Sequence, residues 1–107
     1  MSHRLQVLAD VDAVAEAAAG IVAECCRDAI AAHGAFTFAV SGGRTPWLMW
    51  AHLRVADLPW ARVTLYQVDE RVVPADDPDR NLRHLHAAVD GLGARIVSMP
   101  VERADLA

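Results

Sequence analysis

The chain predicts an α/β fold, a parallel sheet with flanking helices, and three observations carry that expectation. Short apolar runs alternate along the sequence with longer stretches whose apolar residues recur every three or four positions. Two of the runs stop abruptly in polar loops: Phe36–Val40 enters Ser41-Gly42-Gly43-Arg44-Thr45-Pro46, and Val63–Val68 enters Asp69-Glu70-Arg71. The hydrophobic fraction of 54% is far too high for a disordered chain.

Taken in order, Leu5, Val7 and Ala9 alternate with other residues as a weak edge strand. Asp10 or Asp12 then supplies an N-cap for a long helix. Its apolar positions Val11, Val14, Ala18, Ile21, Val22, Cys25, Ala29 and Ile30 are expected to form one buried stripe, and Gly34 after His33 stops it. Phe36–Val40 is apolar on both faces apart from Thr37, as a central parallel strand is. Beyond the glycine loop, Thr45 is the expected N-cap and Pro46 suits the first turn of a helix reaching about Val55. Leu58-Pro59-Trp60 connects to the third strand, whose carboxyl end carries Asp69-Glu70-Arg71. Pro74, Asp76, Asp77 and Pro78 form a turn-rich loop, Asp79 is the expected cap of a helix with Leu82, Leu85, Ala88 and Val89 inward, and Gly91 or Gly93 ends it. Ile96–Met99 makes a fourth strand. The order strand, helix, strand, helix, strand, helix, strand implies right-handed crossovers and one domain over 1–107.

Composition excludes several functions. No apolar run reaches the roughly 20 residues of a membrane span, and no apolar signal region follows the first residues, so a soluble cytoplasmic protein is expected. The net charge is −4 and the ten basic residues are scattered singly, which argues against nucleic acid as a partner. One local cluster of donors can still hold a small anion. Cys25 and Cys26 are adjacent in a helical pattern, giving neither a C-x-x-C pair nor a zinc site, and both read as buried reduced thiols.

Two loops carry the chemistry. Ser41-Gly42-Gly43-Arg44-Thr45 offers unhindered backbone N–H groups beside a helix N-terminus, a ready anion site. Its spacing matches neither G-x-G-x-x-G nor G-x-x-x-x-G-K-S/T, and a tight turn using glycine for positive φ is an equally good account of it alone. Asp69-Glu70-Arg71 gathers three charges where an apolar strand leaves the sheet, the edge at which open α/β sheets bind ligands. There Arg71 suits a phosphate or carboxylate and an acid suits positioning or proton removal, against the plainer account of a solvated loop with an internal ion pair. Calcium binding by Asp77, Asp79 and Asn81 fails, because Leu82 falls where an EF-hand needs glycine and Ala88 where it needs glutamate. That run is a turn and helix cap, with Asn81 a candidate ligand contact. His84 and His86 lie on opposite helix faces and cannot share a metal, and Ser41 lacks the G-x-S-x-G setting of a hydrolase nucleophile.

Together the segments Phe38–Pro46, Trp60-Ala61-Arg62-Val63, Val68–Pro74, Asp76–Asp79 and Asn81 resemble 6-phosphogluconolactonase in order and spacing. The resemblance covers essentially the whole chain but only the amino-terminal half of that family. It implies a Rossmann-like sandwich related to glucosamine-6-phosphate isomerases, and hydrolysis of 6-phospho-D-glucono-1,5-lactone to 6-phosphogluconate in the oxidative pentose phosphate pathway without metal or organic cofactor. By that resemblance Ser41, Gly42, Gly43, Arg44 and Thr45 line the sugar-phosphate pocket. Asp69, Glu70 and Arg71 border the reacting end, Arg71 being the direct anion contact, and Asn81 supports the loop.

The family's general base is a histidine in an Asp-Gly-His-x-Ala-Ser motif, and none of the five histidines here stands in one, so no catalytic residue is identifiable. The expectation is a truncated chain, inactive alone, whose last residues look like a loop entering a helix. Its partners are a sugar phosphate and either a missing carboxyl-terminal half or a second copy. A related isomerase or deaminase is the enzyme alternative, disfavoured because Arg71 stands where that family usually has tyrosine. A non-catalytic sugar-phosphate-binding fragment is the other.

Overall fold

The computed structural model of the chain describes residue 5 and residues 7–101. Helix α1 (Val11–His33) leads into β1 (Phe36–Val40), α2 (Arg44–Leu53), a single 3-10 turn (Trp60–Arg62), β2 (Val63–Gln67), α3 (Asn81–Val89) and β3 (Arg95–Val97). The three strands form one parallel sheet in the order β1-β2-β3, with Phe36 opposite Val63 and Thr64 opposite Arg95. The α/β class and the parallel sheet with flanking helices are as the sequence predicts.

Local chemistry explains the boundaries. The Asp10 side chain accepts from the Ala13 N–H at 2.8 Å and starts α1, while Gly34, at φ 78°, returns its N–H to the Ile30 carbonyl and stops it. The guanidinium of Arg54 binds the carbonyls of Ala88 and Asp90 at 2.6 and 2.9 Å, closing the far end of α3 with a cation suited to it. The core joins Ala19, Ala23 and Cys26 of α1, Trp50 and Leu53 of α2, and Leu85 and Val89 of α3 to Val40, Val63 and Leu65 of the sheet. Fully buried leucines such as Leu53, Leu65 and Leu85 each contribute about 1.5–3 kcal/mol. Helix α1 packs on α2 and α2 on α3, so the helices cover one face of the sheet. On the other face Thr37, Ala39, Tyr66 and Val68 are exposed, which is unusual for a parallel sheet.

Several expectations need correction. Leu5, Val7 and Ala9 do not form a strand; Leu5 and Val7 are exposed and no ladder is made by the described residues there. Three alternating residues are a weak signal without a neighbour to pair with. The buried stripe of α1 is Ala15, Ala19, Ala23 and Cys26, while Val11, Val14, Ile21 and Cys25 stay exposed. Alanine spacing permits close approach to α2, and a helix apolar on more than one side does not say which side packs. Helix α2 begins at Arg44, before the expected cap Thr45, because Gly43 at φ 119° makes the sharp turn out of β1. It ends at Leu53 rather than Val55. Asp79 does not cap α3; Arg80 stands at that position without a side-chain cap of its own. The last strand is Arg95–Val97, shorter and earlier than expected, and the expected entry into a helix after Val101 lies outside the described residues.

Candidate functional site

The parallel pairing brings the two polar loops together. Val40 is paired with Gln67, and the Val68 N–H donates to the Val40 carbonyl at 3.0 Å, so Ser41 and Asp69 leave the sheet side by side at its carboxyl edge. On the β1 side, Gly42 lies so close to Asn81 that a Cβ there would stand 2.6 Å from Asn81 Cγ and 3.0 Å from its Nδ2. On the β2 side, Asn81 Nδ2 donates to Asp69 Oδ1 at 3.4 Å. Asn81 therefore bridges both loops. Ser41, Gly42, Asp69 and Asn81 line a small niche with no room for a water, together with Trp47, Gln67 and Leu85. Beside it, an open apolar cleft of about 300 Å3 runs past Phe38, Thr45, Met49 and Trp50.

Glu70 has a different place from its neighbours. Its side chain is wholly enclosed. Oε1 accepts from the backbone N–H groups of Arg71 and Asn81, each at 2.7 Å, and Oε2 accepts from Gln67 Nε2 at 2.9 Å and the Leu82 N–H at 2.8 Å. The Arg80 side chain, also buried, brings Nε to 2.9 Å from Oε2 and reaches back with Nη1 to the Val73 carbonyl at 3.0 Å. Burial pushes the Glu70 carboxyl up, but the bonds from Gln67 and from the Arg71, Leu82 and Asn81 amides outweigh it and hold the pKa down at about 2. Glu70 is thus the N-cap of α3, supplied from outside the helix, and at neutral pH is a carboxylate facing inward. The expectation that it borders the reacting end is corrected: its lone pairs are taken and it has no surface for a ligand.

Asp69, Arg71, Ser41, Gly43, Arg44 and Thr45 are exposed, with Gly42 and Asn81 half-buried. The niche gathers Ser41, Gly42, Asp69 and Asn81, and Thr45 borders the cleft, whereas Arg44 and Arg71 line neither. Arg80 is the residue that sequence reasoning missed, since an arginine between Asp79 and Asn81 in a charged loop reads as solvated. Gln67, expected from sequence only as part of an apolar strand, also accepts from the Met99 N–H at 2.9 Å and ties the site to the segment after β3. Among the described residues no group of three or more His, Cys, Asp or Glu side chains is placed to hold a metal ion, and no helix is long and apolar enough to cross a membrane.

Comparison with known proteins agrees with this architecture. A 6-phosphogluconolactonase of Rhizobium meliloti is 40% identical over 83 residues, covering 78% of this chain and 36% of its own length. One of Synechocystis is 36% identical over 109 residues, covering 98% of this chain and 45% of its own. The chain thus spans less than half the length of these relatives. Among solved structures, a putative 6-phosphogluconolactonase of Neisseria gonorrhoeae matches with a TM-score of 0.76 at 30% identity, over 87% of this chain and 41% of its own. One of Shewanella baltica matches with a TM-score of 0.80 at 26% identity, over 85% and 40%. The family model described as glucosamine-6-phosphate isomerases/6-phosphogluconolactonase matches residues 9–106, and the chain belongs to that family.

Proposed function

We propose that this chain carries the sugar-phosphate-binding part of a 6-phosphogluconolactonase, a protein hydrolysing 6-phospho-D-glucono-1,5-lactone to 6-phosphogluconate. The observation that carries the proposal is the convergence of the Ser41–Thr45 loop with Asp69 and Asn81 at one carboxyl edge of a parallel sheet, where such folds bind ligands. The N-terminus of α2 with Arg44 exposed in its first turn, and Arg71 exposed two residues beyond Asp69, suit a phosphate. Asp69, exposed beside the niche, borders the reacting end, and Asn81 holds the loop. Opening a lactone needs a base that activates water and donors for the oxyanion. Glu70 is excluded as that base by its enclosure and its pKa of about 2.

Residues 1–107 then act as a partial domain. Its exposed sheet face, Thr37, Ala39, Tyr66 and Val68, is where the remainder of the family fold packs and contributes the base. The reading is tested by titrating 6-phosphogluconate into the 15N-labelled chain and by following hydrolysis of fresh lactone, corrected for spontaneous opening. Expected are ligand-induced shifts at Ser41–Thr45 and Asp69, weakened by Arg71→Ala, without turnover. Absence of any shift in folded protein refutes the binding site, and turnover abolished by Arg71→Ala refutes the need for a base from elsewhere.

A further inference from the structure

We infer that the buried Glu70–Arg80 pair is a positioning element that fixes Asn81 between Gly42 and Asp69 and thereby sets the spacing of the two loops at the ligand mouth; the inference rests on the site proposed above. The four hydrogen-bond donors on Glu70 and its ion-pair partner Arg80 come from three segments: the end of β2, the loop at Arg71, and the first turn of α3 with Arg80 just before it. Asn81 and Leu82 are the first two residues of α3, and nothing in the helix's own cap position serves their N–H groups. One carboxylate therefore decides where α3 begins. The Asn81 side chain leaves from that point, touching Gly42 on one side and Asp69 on the other. Arg80 completes the clamp by joining Glu70 to the Val73 carbonyl, which closes the loop between Arg71 and Asp79 onto its own base. Removing one partner of a buried pair strands a charge, whereas removing both does not.

The test compares Glu70→Gln/Arg80→Met, Arg80→Lys and, as a control in the core away from the loops, Leu58→Ala. In the double variant, amide hydrogen exchange at Asn81 and Leu82 is expected to accelerate about tenfold or more beyond the change at Leu65. The ligand-free amide resonances of Gly42 and Asp69 move, and affinity for 6-phosphogluconate drops about tenfold. Arg80→Lys, which keeps a cation beside Glu70, retains most of the parent's affinity. Leu58→Ala lowers global stability but leaves the Gly42 resonance and the affinity as in the parent. The inference is overturned if the Gly42 and Asp69 resonances stay in place in the double variant, or if its affinity loss is matched by Leu58→Ala. Should the double variant not fold, Glu70→Gln decides on the same readout: faster exchange at Asn81 with an unmoved Gly42 resonance refutes positioning, and a moved Gly42 resonance supports it. Failure of the parent chain to bind 6-phosphogluconate refutes the proposed function instead, while the ligand-free resonances still decide the positioning role.

Discussion

Replacing Gly42 by alanine tests the contact that joins the two loops. The added Cβ would stand 2.6 Å from Asn81 Cγ and 3.0 Å from Nδ2, well inside ordinary van der Waals contact. Gly42 is not among the glycines with positive φ, so the backbone itself accepts alanine and the whole cost is steric. Relief requires the Asn81 side chain to swing away and give up its 3.4 Å contact with Asp69, while the Asn81 backbone stays pinned by Glu70. Overpacking costs about 1–3 kcal/mol in general, and here the obstacle is a side-chain end rather than a wall. The restricted unfolded state returns about 0.4–1 kcal/mol. A net loss of about 1–2 kcal/mol is expected, or a melting temperature lower by very roughly 4–16 °C for a domain of this size. In an Asn81→Ala background the obstacle is gone, only the unfolded-state gain remains, and Gly42→Ala is expected to stabilise by about 0.4–1 kcal/mol. Urea unfolding of the four proteins gives the coupling directly, and the expected value is about 1.4–3 kcal/mol. An equal cost in both backgrounds would show that the clash with Asn81 is not what Gly42 avoids, and the geometry of the site would be wrong.

Two further outcomes follow from the same structure. Glu70 has its pKa lowered from 4.5 to about 2, so its stabilisation is complete above about pH 4.5 and is lost as pH falls toward 2. At about 1.4 kcal/mol per tenfold, that is roughly 3 kcal/mol, and Glu70→Gln is expected to flatten the acid limb of a stability-versus-pH curve; an unchanged limb contradicts the assignment. Cys25 is exposed and Cys26 buried, with the Cys26 thiol raised by its burial despite the lowering influence of Arg27. Alkylation of the native chain is therefore expected to label Cys25 and spare Cys26 until denaturant is added, as peptide mapping would show; equal labelling contradicts the packing of α1.

By itself the sequence determined the α/β class, the parallel order of the main strands, the stop of α1 at Gly34 and the two loops that meet at the sheet edge. These are local signals: an apolar run that ends in glycines or charges states its own boundary, and parallel connection through helices puts successive carboxyl ends on one side. The tertiary structure decided what local pattern leaves open. Helix α1 offered apolar residues on more than one side, and only the fit of Ala15, Ala19 and Ala23 selected the buried face. The alternation at Leu5, Val7 and Ala9 made no strand, since a ladder needs a partner that no periodicity supplies. Asp69, Glu70 and Arg71 read as one charged cluster beyond the end of β2, yet in the folded chain Glu70 turned inward to meet Arg80 and the first amides of α3 while Asp69 and Arg71 stayed exposed. A buried ion pair spanning positions 70 and 80 is written in no local pattern, because its two halves are charges that only the folded chain removes from water.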